Sequence, residues 1–337
     1  MKSLSDIATS LAAPGKGILA ADESTPTIEK RFESVGVNCT GENRRNYREL
    51  LFRAADLGKF ISGVILYDET IRQSAADGTP FVQILRSQGI LPGIKVDKGA
   101  KALALYPGER VTEGLDGLRE RFAEYVKLGA QFSKWRAVIS IGEQRPSAYC
   151  LEANAHALAR FAALSQEAGL VPIVEPEVLM DGDHTIVRCE EVTGAALEAL
   201  FHALTAHRVR CEGLLLKPNM VVSGKSCPTH AGPQEVAEAT LRCLKRFVPA
   251  AVPGIMFLSG GLSEVTATQN LNAMNQLGGV LWERSFSFGR ALQAPALKAW
   301  AGKLENGAAA QWALLHRARC NHEARSGRYD ETTERVM

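Results

Sequence analysis

The feature that most constrains the fold is a set of eight short apolar runs that alternate with helical segments. Each run has four to eight core residues rich in Val, Ile, Leu or Phe, and most do not alternate between apolar and polar side chains. Unbroken apolar runs of this length are typical of parallel strands buried on both faces. The runs cover residues 15–22, 59–68, 91–97, 132–140, 170–176, 211–218, 254–261 and 278–287.

The segments between these runs have an apolar period close to that of an α-helix. In residues 148–169, Leu151, Ala155 and Leu158 share one face, and Gly169 provides a C-terminal stop. Similar patterns occupy residues 114–129, 193–208 and 235–247. Eight strands that alternate with helices predict an α/β protein with a (β/α)₈ TIM barrel. A doubly wound sheet is the main alternative, but no G-x-G-x-x-G motif follows an early strand.

The chain has no Pro- or Ser-rich linker, which predicts a single domain. We place the barrel in residues 1–316. Residues 317–337 are polar and show no sustained apolar face, so they predict a mobile C-terminal tail.

Bulk properties exclude several classes of partner. The net charge is only +2, which does not favour a nucleic-acid partner, and no apolar run approaches the length that crosses a membrane. A long apolar N-terminal segment is also absent, so a secretory signal is not expected. The seven cysteines are scattered, odd in number and without a C-x-x-C pair, and we interpret them as free thiols rather than as disulfides or zinc ligands. These features predict a cytoplasmic protein.

Charged residues stand at the C-terminal ends of nearly all the predicted strands. In a barrel these ends form one rim, and that rim is where chemistry takes place. Any one of the residues could form a structural ion pair, but their convergence indicates an active site. The set comprises Asp22, Glu23, Asp68, Glu69, Lys95, Lys134, Arg136, Glu175, Glu177, Lys217 and Arg290.

Lys217 follows three leucines, Leu214 to Leu216, and Pro218 then ends the run. A single lysine in this position more often reaches solvent or a carboxylate than acts as a nucleophile. A lysine attacks a carbonyl only when it is neutral, and both apolar surroundings and a nearby cation such as Lys134 favour that form. Glu175, on the preceding strand, is then a candidate proton shuttle, and Asp22 is a candidate second base.

Glycine-containing loops indicate where phosphate groups bind. Ser259, Gly260 and Gly261 present backbone N–H groups after the seventh strand, and Gly289-Arg290 adds a helix N-terminus and a guanidinium after the eighth. Lys95 and Arg136 stand elsewhere on the rim and can hold a second phosphate. Each glycine motif is weak alone, because glycine pairs usually make turns.

The seven histidines give no sign of a metal centre at the rim. They fall in helices or turns, without spacing typical of metal ligands at a strand end. The sequence therefore predicts neither a metal nor another cofactor.

Several motifs together resemble class I fructose-bisphosphate aldolase, in the order found in that family and across residues 18–300. The combination of LKPNM, IVEPE and SGG in one chain is highly specific for this family. The motifs are ILAADEST (18–25), GIKVDKG (93–99), KWR (134–136), IVEPE (173–177), LLLKPNM (214–220), FLSGG (257–261) and FGRALQAPALKAW (288–300).

The resemblance implies a (β/α)₈ barrel that reversibly cleaves fructose 1,6-bisphosphate into dihydroxyacetone phosphate and glyceraldehyde 3-phosphate, in glycolysis and gluconeogenesis. It also suggests a homotetramer without a cofactor. By this resemblance, Lys217 is the Schiff-base lysine and Glu175 the proton shuttle. The other implied roles are a base at the cleaved bond (Asp22), a lysine that orients substrate (Lys134), a support for Schiff-base chemistry (Glu177), one phosphate site (Ser259, Gly260, Gly261, Gly289 and Arg290) and contacts to the other end (Ser24, Lys95 and Arg136).

The chain departs from the family pattern at two points. Animal members end in a tyrosine that closes over the site, whereas the last tyrosine here is Tyr329, and Pro26 stands where the pattern often has glycine. Two other functions are open at this point, a metal-dependent aldolase and an inactive binding protein with the same fold. Preference between fructose 1,6-bisphosphate and fructose 1-phosphate is also open.

Overall fold

The computed structural model describes residues 2–335 and contains a closed barrel of eight parallel strands. The strand order around the barrel is β1-β10-β9-β8-β7-β6-β3-β2, and β4 and β5 form a separate antiparallel hairpin. The strands are β1 (Gly17–Ala21), β2 (Ile61–Leu66), β3 (Leu91–Lys95), β4 (Ala100–Ala102), β5 (Arg110–Thr112), β6 (Phe132–Ile139), β7 (Val171–Val178), β8 (Leu215–Leu216), β9 (Gly254–Phe257) and β10 (Glu283–Phe288). The predicted TIM barrel is confirmed.

Fourteen helices alternate with or flank these strands in residues 2–335. They are α1 (Leu4–Leu11), α2 (Thr25–Glu33), α3 (Gly41–Phe52), α4 (Leu57–Phe60), α5 (Asp68–Ile71), α6 (Phe81–Ser87), α7 (Leu118–Leu128), α8 (Ala148–Glu167), α9 (Ile186–Ala206), α10 (Pro233–Phe247), α11 (Glu264–Leu277), α12 (Arg290–Trp300), α13 (Gly307–Arg325) and α14 (Glu331–Arg335). None of these helices is both long and apolar enough to cross a membrane.

Local sequence explains several helix boundaries. The Ser147 hydroxyl accepts a hydrogen bond from the backbone N–H of Cys150 and so caps the N-terminus of α8. Helix α7 ends at Gly129, whose φ of 102° lies in the left-handed region that favours glycine.

The barrel interior is apolar toward the end where the strands begin. Ile18, Ile65 and Phe132 pack there with Ile7 and Leu11 of α1, so that α1 covers this end. A second and larger apolar core lies between the strands and the outer helices. Polar side chains are therefore concentrated at the C-terminal ends of the strands.

The largest differences between predicted and observed strand bounds are in residues 278–287 and 211–218. The eighth strand begins at Glu283 rather than at residue 278, because Gly278 and Gly279 have positive φ, which an extended strand does not adopt. Within residues 211–218, a 3₁₀ turn (Cys211–Gly213) precedes the two-residue strand β8.

The predicted boundary at residue 316 falls inside α13, which continues to Arg325. Residues 317–325 are helical, and Arg317, Asn321 and Arg325 are buried although they are polar. Arg317 binds Thr268 of α11, and Arg325 binds backbone carbonyls before β1. Arg317, Asn321 and Arg325 interrupt the small apolar residues Ala318, Cys320 and Ala324 on the buried face of this segment, so its apolar period is weak. Mobility of the remaining tail stays a prediction, and its last two residues, 336–337, lie outside the described residues.

Candidate active site

The backbone on both sides of Lys217 is held in the barrel wall. Leu214, Leu215 and Leu216 are completely buried, and the backbone N–H of Lys217 donates to the carbonyl of Val174 at 2.8 Å. The carbonyl of Pro218 accepts from Leu258 N–H at 3.0 Å. The Lys217 side chain is 4% exposed, so its amine lies in the barrel mouth away from bulk solvent.

Four of the predicted catalytic residues form one chain of ionic contacts at the mouth. Nζ of Lys217 lies 3.3 Å from Oε1 of Glu175, and Oε2 of Glu175 lies 3.2 Å from Nζ of Lys134. Nζ of Lys134 then lies 2.7 Å from Oδ2 of Asp22. The order along the chain is amine, carboxylate, amine, carboxylate, and all four side chains are largely buried. A substrate carbonyl at Lys217 would therefore lie beside groups that can donate and accept protons.

Neighbouring charges determine the ionisation of this chain. Burial alone would raise the pKa of Asp22, but Lys134 and then Lys217 outweigh it and hold the pKa well below its usual range. Burial opposes the charge on Lys134, but Asp22 and Glu175 raise its pKa above the usual range. Burial would likewise raise the pKa of Glu175, but Lys134 and Lys217 outweigh it, and the pKa is lowered. Near neutral pH, Lys134 is an ammonium and Asp22 and Glu175 are carboxylates.

The second carboxylate oxygen of Glu175, Oε2, faces Lys134. Its 3.2 Å contact with Lys134 lacks hydrogen-bond geometry, and within residues 2–335 no other group donates to it. A buried carboxylate oxygen without a donor is unusual, and each such case calls for an explanation. An unfilled hydrogen-bonding position beside two lysine amines is what a proton shuttle requires.

The same chain predicts a reversed pH dependence for Lys134→Met. In the wild-type protein the lowered pKa of Asp22 contributes stability above its unfolded value of about 3.9, and that stability is lost as the pH falls through the folded value. Methionine removes the main cation beside Asp22, burial then dominates, and the pKa of Asp22 rises above the unfolded value. Stability of the variant should fall as the pH rises from about 4 to 7, and at pH 7 we expect a loss of about 3–5 kcal/mol.

Urea unfolding between pH 4 and 8 measures this difference. Lys101→Met is the matched control, because Lys101 lies exposed on the β4–β5 hairpin. Equal pH profiles for wild type and Lys134→Met would show that Lys134 does not set the ionisation of Asp22.

Glu177 and the proposed phosphate contacts Arg136 and Lys95 form a second group on the rim. The Arg136 guanidinium donates to Glu177, and no ion pair joins Glu177 to Lys217 among the described residues. Lys95 lies 3.0 Å from Oδ1 of Asp97, and the backbone N–H of Arg136 donates to Oδ2 of the same side chain. Asp97 thus links the Lys95 side chain to the backbone of Arg136, a link that sequence reasoning did not predict although Asp97 stands two residues after Lys95.

The loops after β9 and β10 bring the other predicted phosphate residues together. Gly260 and Gly261 both have positive φ, and a Cβ atom at Gly261 would lie 3.2 Å from Nη2 of Arg290. Gly289 is the N-cap of α12, so Arg290 begins a helix whose N-terminus favours anions. Lys225 also lies beside Gly261 and was missed, because its loop carries no distinctive motif.

Glu23 forms a buried network next to Asp22. Its carboxylate accepts hydrogen bonds from Arg31, Arg48 and the side-chain amide of Gln293, which also binds the carbonyl of Ala20. Ser24 follows, and its hydroxyl lies 3.1 Å from that of Thr27. The network fixes the segment that carries Asp22 and Ser24. Arg48 and Gln293 lie on α3 and α12, which sequence patterns do not connect to this strand end.

Comparison with known proteins gives consistent matches over nearly the whole chain. The family model for fructose-bisphosphate aldolase class-I matches residues 3–337. The probable fructose-bisphosphate aldolase class 1 of Xanthomonas campestris pv. campestris is 57% identical over 330 residues, which cover 98% of this chain and 99% of that protein. Fructose-bisphosphate aldolase 1 of Toxoplasma gondii is 54% identical over 97% of this chain and 91% of its own.

A solved structure matches both the fold and the sequence. The fructose-bisphosphate aldolase of Plasmodium falciparum, in a ternary complex with TRAP and a small-molecule inhibitor, superimposes with a TM-score of 0.96. It is 49% identical, and the match covers 97% of this chain and 95% of that one.

Proposed function

Because the chain belongs to the class I fructose-bisphosphate aldolase family, we propose that Lys217 forms the Schiff base on which its reaction depends. The enzyme is a metal-independent lyase that reversibly cleaves fructose 1,6-bisphosphate into dihydroxyacetone phosphate and glyceraldehyde 3-phosphate, a step of glycolysis and gluconeogenesis. The observation that supports Lys217 most directly is its 3.3 Å contact with Glu175, a carboxylate shared with Lys134.

The first half of the reaction makes and dehydrates a carbinolamine. The neutral amine of Lys217 attacks the C2 carbonyl of the open-chain sugar, and its nitrogen loses a proton as the oxygen gains one. Glu175 accepts and returns these protons, since one of its oxygens faces Lys217 and the other has no donor aligned on it. Loss of water leaves a protonated imine, which withdraws electrons from C3.

The second half breaks the bond between C3 and C4. Asp22 takes the proton of the C4 hydroxyl, the C4 oxygen forms the aldehyde, and the bonding electrons move into the imine to give an enamine. The charge on Lys134, maintained by Asp22 and Glu175, orients the hydroxyl groups of the substrate. Protonation at C3 and hydrolysis then release dihydroxyacetone phosphate and regenerate the amine.

Two cationic regions are proposed to bind the two phosphates. Ser259, Gly260, Gly261, Gly289 and Arg290 supply backbone N–H groups and a guanidinium at one side of the mouth. Ser24, Lys95 and Arg136 bind the other end. Glu177 positions Arg136 through their ion pair and is a second carboxylate near the imine, in support of Schiff-base chemistry.

We also propose that the enzyme is a homotetramer and that it is cytoplasmic. A homotetramer is supported by apolar side chains on the β4–β5 hairpin, where Leu105 is 97% exposed and Tyr106 stacks against Tyr149. Light scattering would measure the mass of the assembly.

Cytoplasmic localisation is supported by seven cysteines that are all free thiols, and fluorescence microscopy of the tagged chain would test it.

The reaction class is tested by two assays on the wild-type enzyme. We expect the rate of fructose 1,6-bisphosphate cleavage to be unchanged in excess EDTA, because no metal takes part in imine chemistry. Borohydride added with dihydroxyacetone phosphate should inactivate the enzyme, because it reduces the imine to a stable amine. Loss of activity with EDTA, or full activity after borohydride treatment, would contradict the proposal.

A further inference from the structure

A group of metal-binding side chains lies outside the barrel mouth, near the end of the chain. It consists of His316 and Cys320 on α13 and Glu334 on α14. One ligand atom from each lies within 4.8 Å of the other two, and within residues 2–335 this is the single group of three His, Cys, Asp or Glu residues with that property. The mechanism uses none of these residues.

The separation of the nitrogen and sulfur atoms matches shared coordination of a metal ion. His316 and Cys320 are four residues apart on α13, so they project from the same face. Nε2 of His316 lies 3.7 Å from Sγ of Cys320. Tetrahedral zinc with Zn–N of about 2.1 Å and Zn–S of about 2.3 Å places these two atoms about 3.6 Å apart. The distance between these two atoms is therefore already that of a pair of ligands to one zinc ion.

The surroundings orient each ligand. The ring of His316 stacks on Trp312, with 5.2 Å between ring centroids and 5° between planes. Cys320 is completely buried, whereas His316 and Glu334 are half-buried, so an ion can enter from one side. Tyr329 donates its hydroxyl to Oε2 of Glu334 at 2.5 Å. Hydrogen bonds of this kind to a ligating carboxylate fix its orientation.

The existing ion pair of Glu334 is compatible with a metal. Arg317 donates to Oε1 of Glu334, but it also donates to the carbonyl of Glu264 at 3.1 Å and to the hydroxyl of Thr268 at 2.7 Å. The Arg317 guanidinium therefore still has two hydrogen-bond acceptors if Glu334 turns toward the ion. Each carboxylate oxygen also has a second lone pair that can remain with Arg317 or Tyr329.

We propose that His316, Cys320 and Glu334 form a zinc site that joins the C-terminal helix α14 to α13. One thiolate, one imidazole and one carboxylate favour Zn²⁺ over Mg²⁺ or Ca²⁺, which prefer oxygen ligands alone. Binding displaces the thiol proton of Cys320 to solvent, and the thiolate and Glu334 together balance the charge of the ion. The fourth position is left for water. Zinc here stabilises the end of the chain and takes no part in catalysis.

Cobalt(II) is a suitable probe, because its thiolate complexes absorb in the near ultraviolet. Titration of the EDTA-treated, dialysed enzyme with Co²⁺ should give one equivalent of binding, a thiolate-to-cobalt band and quenching of Trp312 fluorescence. Zn²⁺ should displace the cobalt and raise the melting temperature. Cys320→Ser should lose the band, and His316→Gln should bind zinc at least about 100-fold more weakly, since loss of even an outer partner costs about 10–100-fold.

Matched controls separate this site from others on the surface. Cys211→Ser removes a cysteine outside the group, and His156→Gln removes a histidine outside it that packs against His207. Both variants should bind Co²⁺ and Zn²⁺ as the wild type does. Absence of stoichiometric binding, or an unchanged band and affinity in Cys320→Ser and His316→Gln, would overturn the proposal. Since His316→Gln changes a half-buried residue, it tests the site even if Cys320→Ser fails to fold.

Discussion

Lys217→Ala is expected to lower kcat for fructose 1,6-bisphosphate cleavage by at least about 10⁴-fold, because it removes the only group proposed to bond to the substrate. Borohydride reduction with dihydroxyacetone phosphate, followed by peptide mapping, should place the wild-type adduct on Lys217 and find none in the variant. The variant should still fold, since Glu175 keeps its contact with Lys134. Circular dichroism and thermal unfolding check that point.

Two further variants test whether the loss of activity is specific to the amine of Lys217. Lys217→Met keeps most of the side-chain volume in the apolar approach and should be equally inactive, which separates loss of the amine from loss of packing. Lys101→Ala, on the exposed hairpin, should retain wild-type kcat and the adduct on Lys217. A wild-type adduct on Lys134 instead, or substantial turnover by homogeneous Lys217→Ala, would refute the assignment.

Asp22→Asn is expected to separate imine formation from bond cleavage. Asparagine keeps the shape of the side chain but cannot take the C4 hydroxyl proton, so kcat should fall by about 10²–10⁴-fold, the usual contribution of a general base. Imine formation depends on Lys217 and Glu175, so borohydride should still trap dihydroxyacetone phosphate on Lys217 in this variant. The two readouts, kcat and the trapped fraction, are measured on the same preparation.

The comparison variant for Asp22→Asn is Glu175→Gln, which should slow trapping itself because it removes the proposed proton shuttle. Asp116→Asn, at an exposed position, should change neither readout. If Asp22→Asn lost trapping as completely as Lys217→Ala does, Asp22 would act in imine formation and not at the C3–C4 bond. Unchanged cleavage by Asp22→Asn would exclude it as the base.

The barrel could be predicted because its strands obey a strong local rule. A strand covered on both faces must be apolar over its buried part, as Leu214–Leu216 and residues 171–174 of β7 are, and such runs are visible without knowledge of their neighbours. The convergence of charged residues at the strand ends could also be predicted, because the C-terminal ends of the strands in a parallel barrel form one rim.

Pairing between side chains could not be predicted in the same way. Glu177 stands two residues after Glu175 and faces the same rim, yet it pairs with Arg136, a choice that depends on distances across β6 and β7. The buried polar residues of α13 were missed because the hydrogen bonds that hold Arg317, Asn321 and Arg325 reach atoms far away in the sequence. The spacing of His316 and Cys320 was visible in the sequence, but the approach of Glu334 was not.

Closure of the barrel has a consequence during protein synthesis. β1 pairs with β10, so that Ile18 lies beside Ser287, and Arg325 binds the carbonyl of Ala12 across 313 positions of sequence. At about 5–20 residues per second, one edge of β1 stays open on the ribosome for on the order of 10–50 s. Such an edge can pair with another nascent chain. The short length of β1, which has five residues, therefore limits aggregation while translation is still in progress.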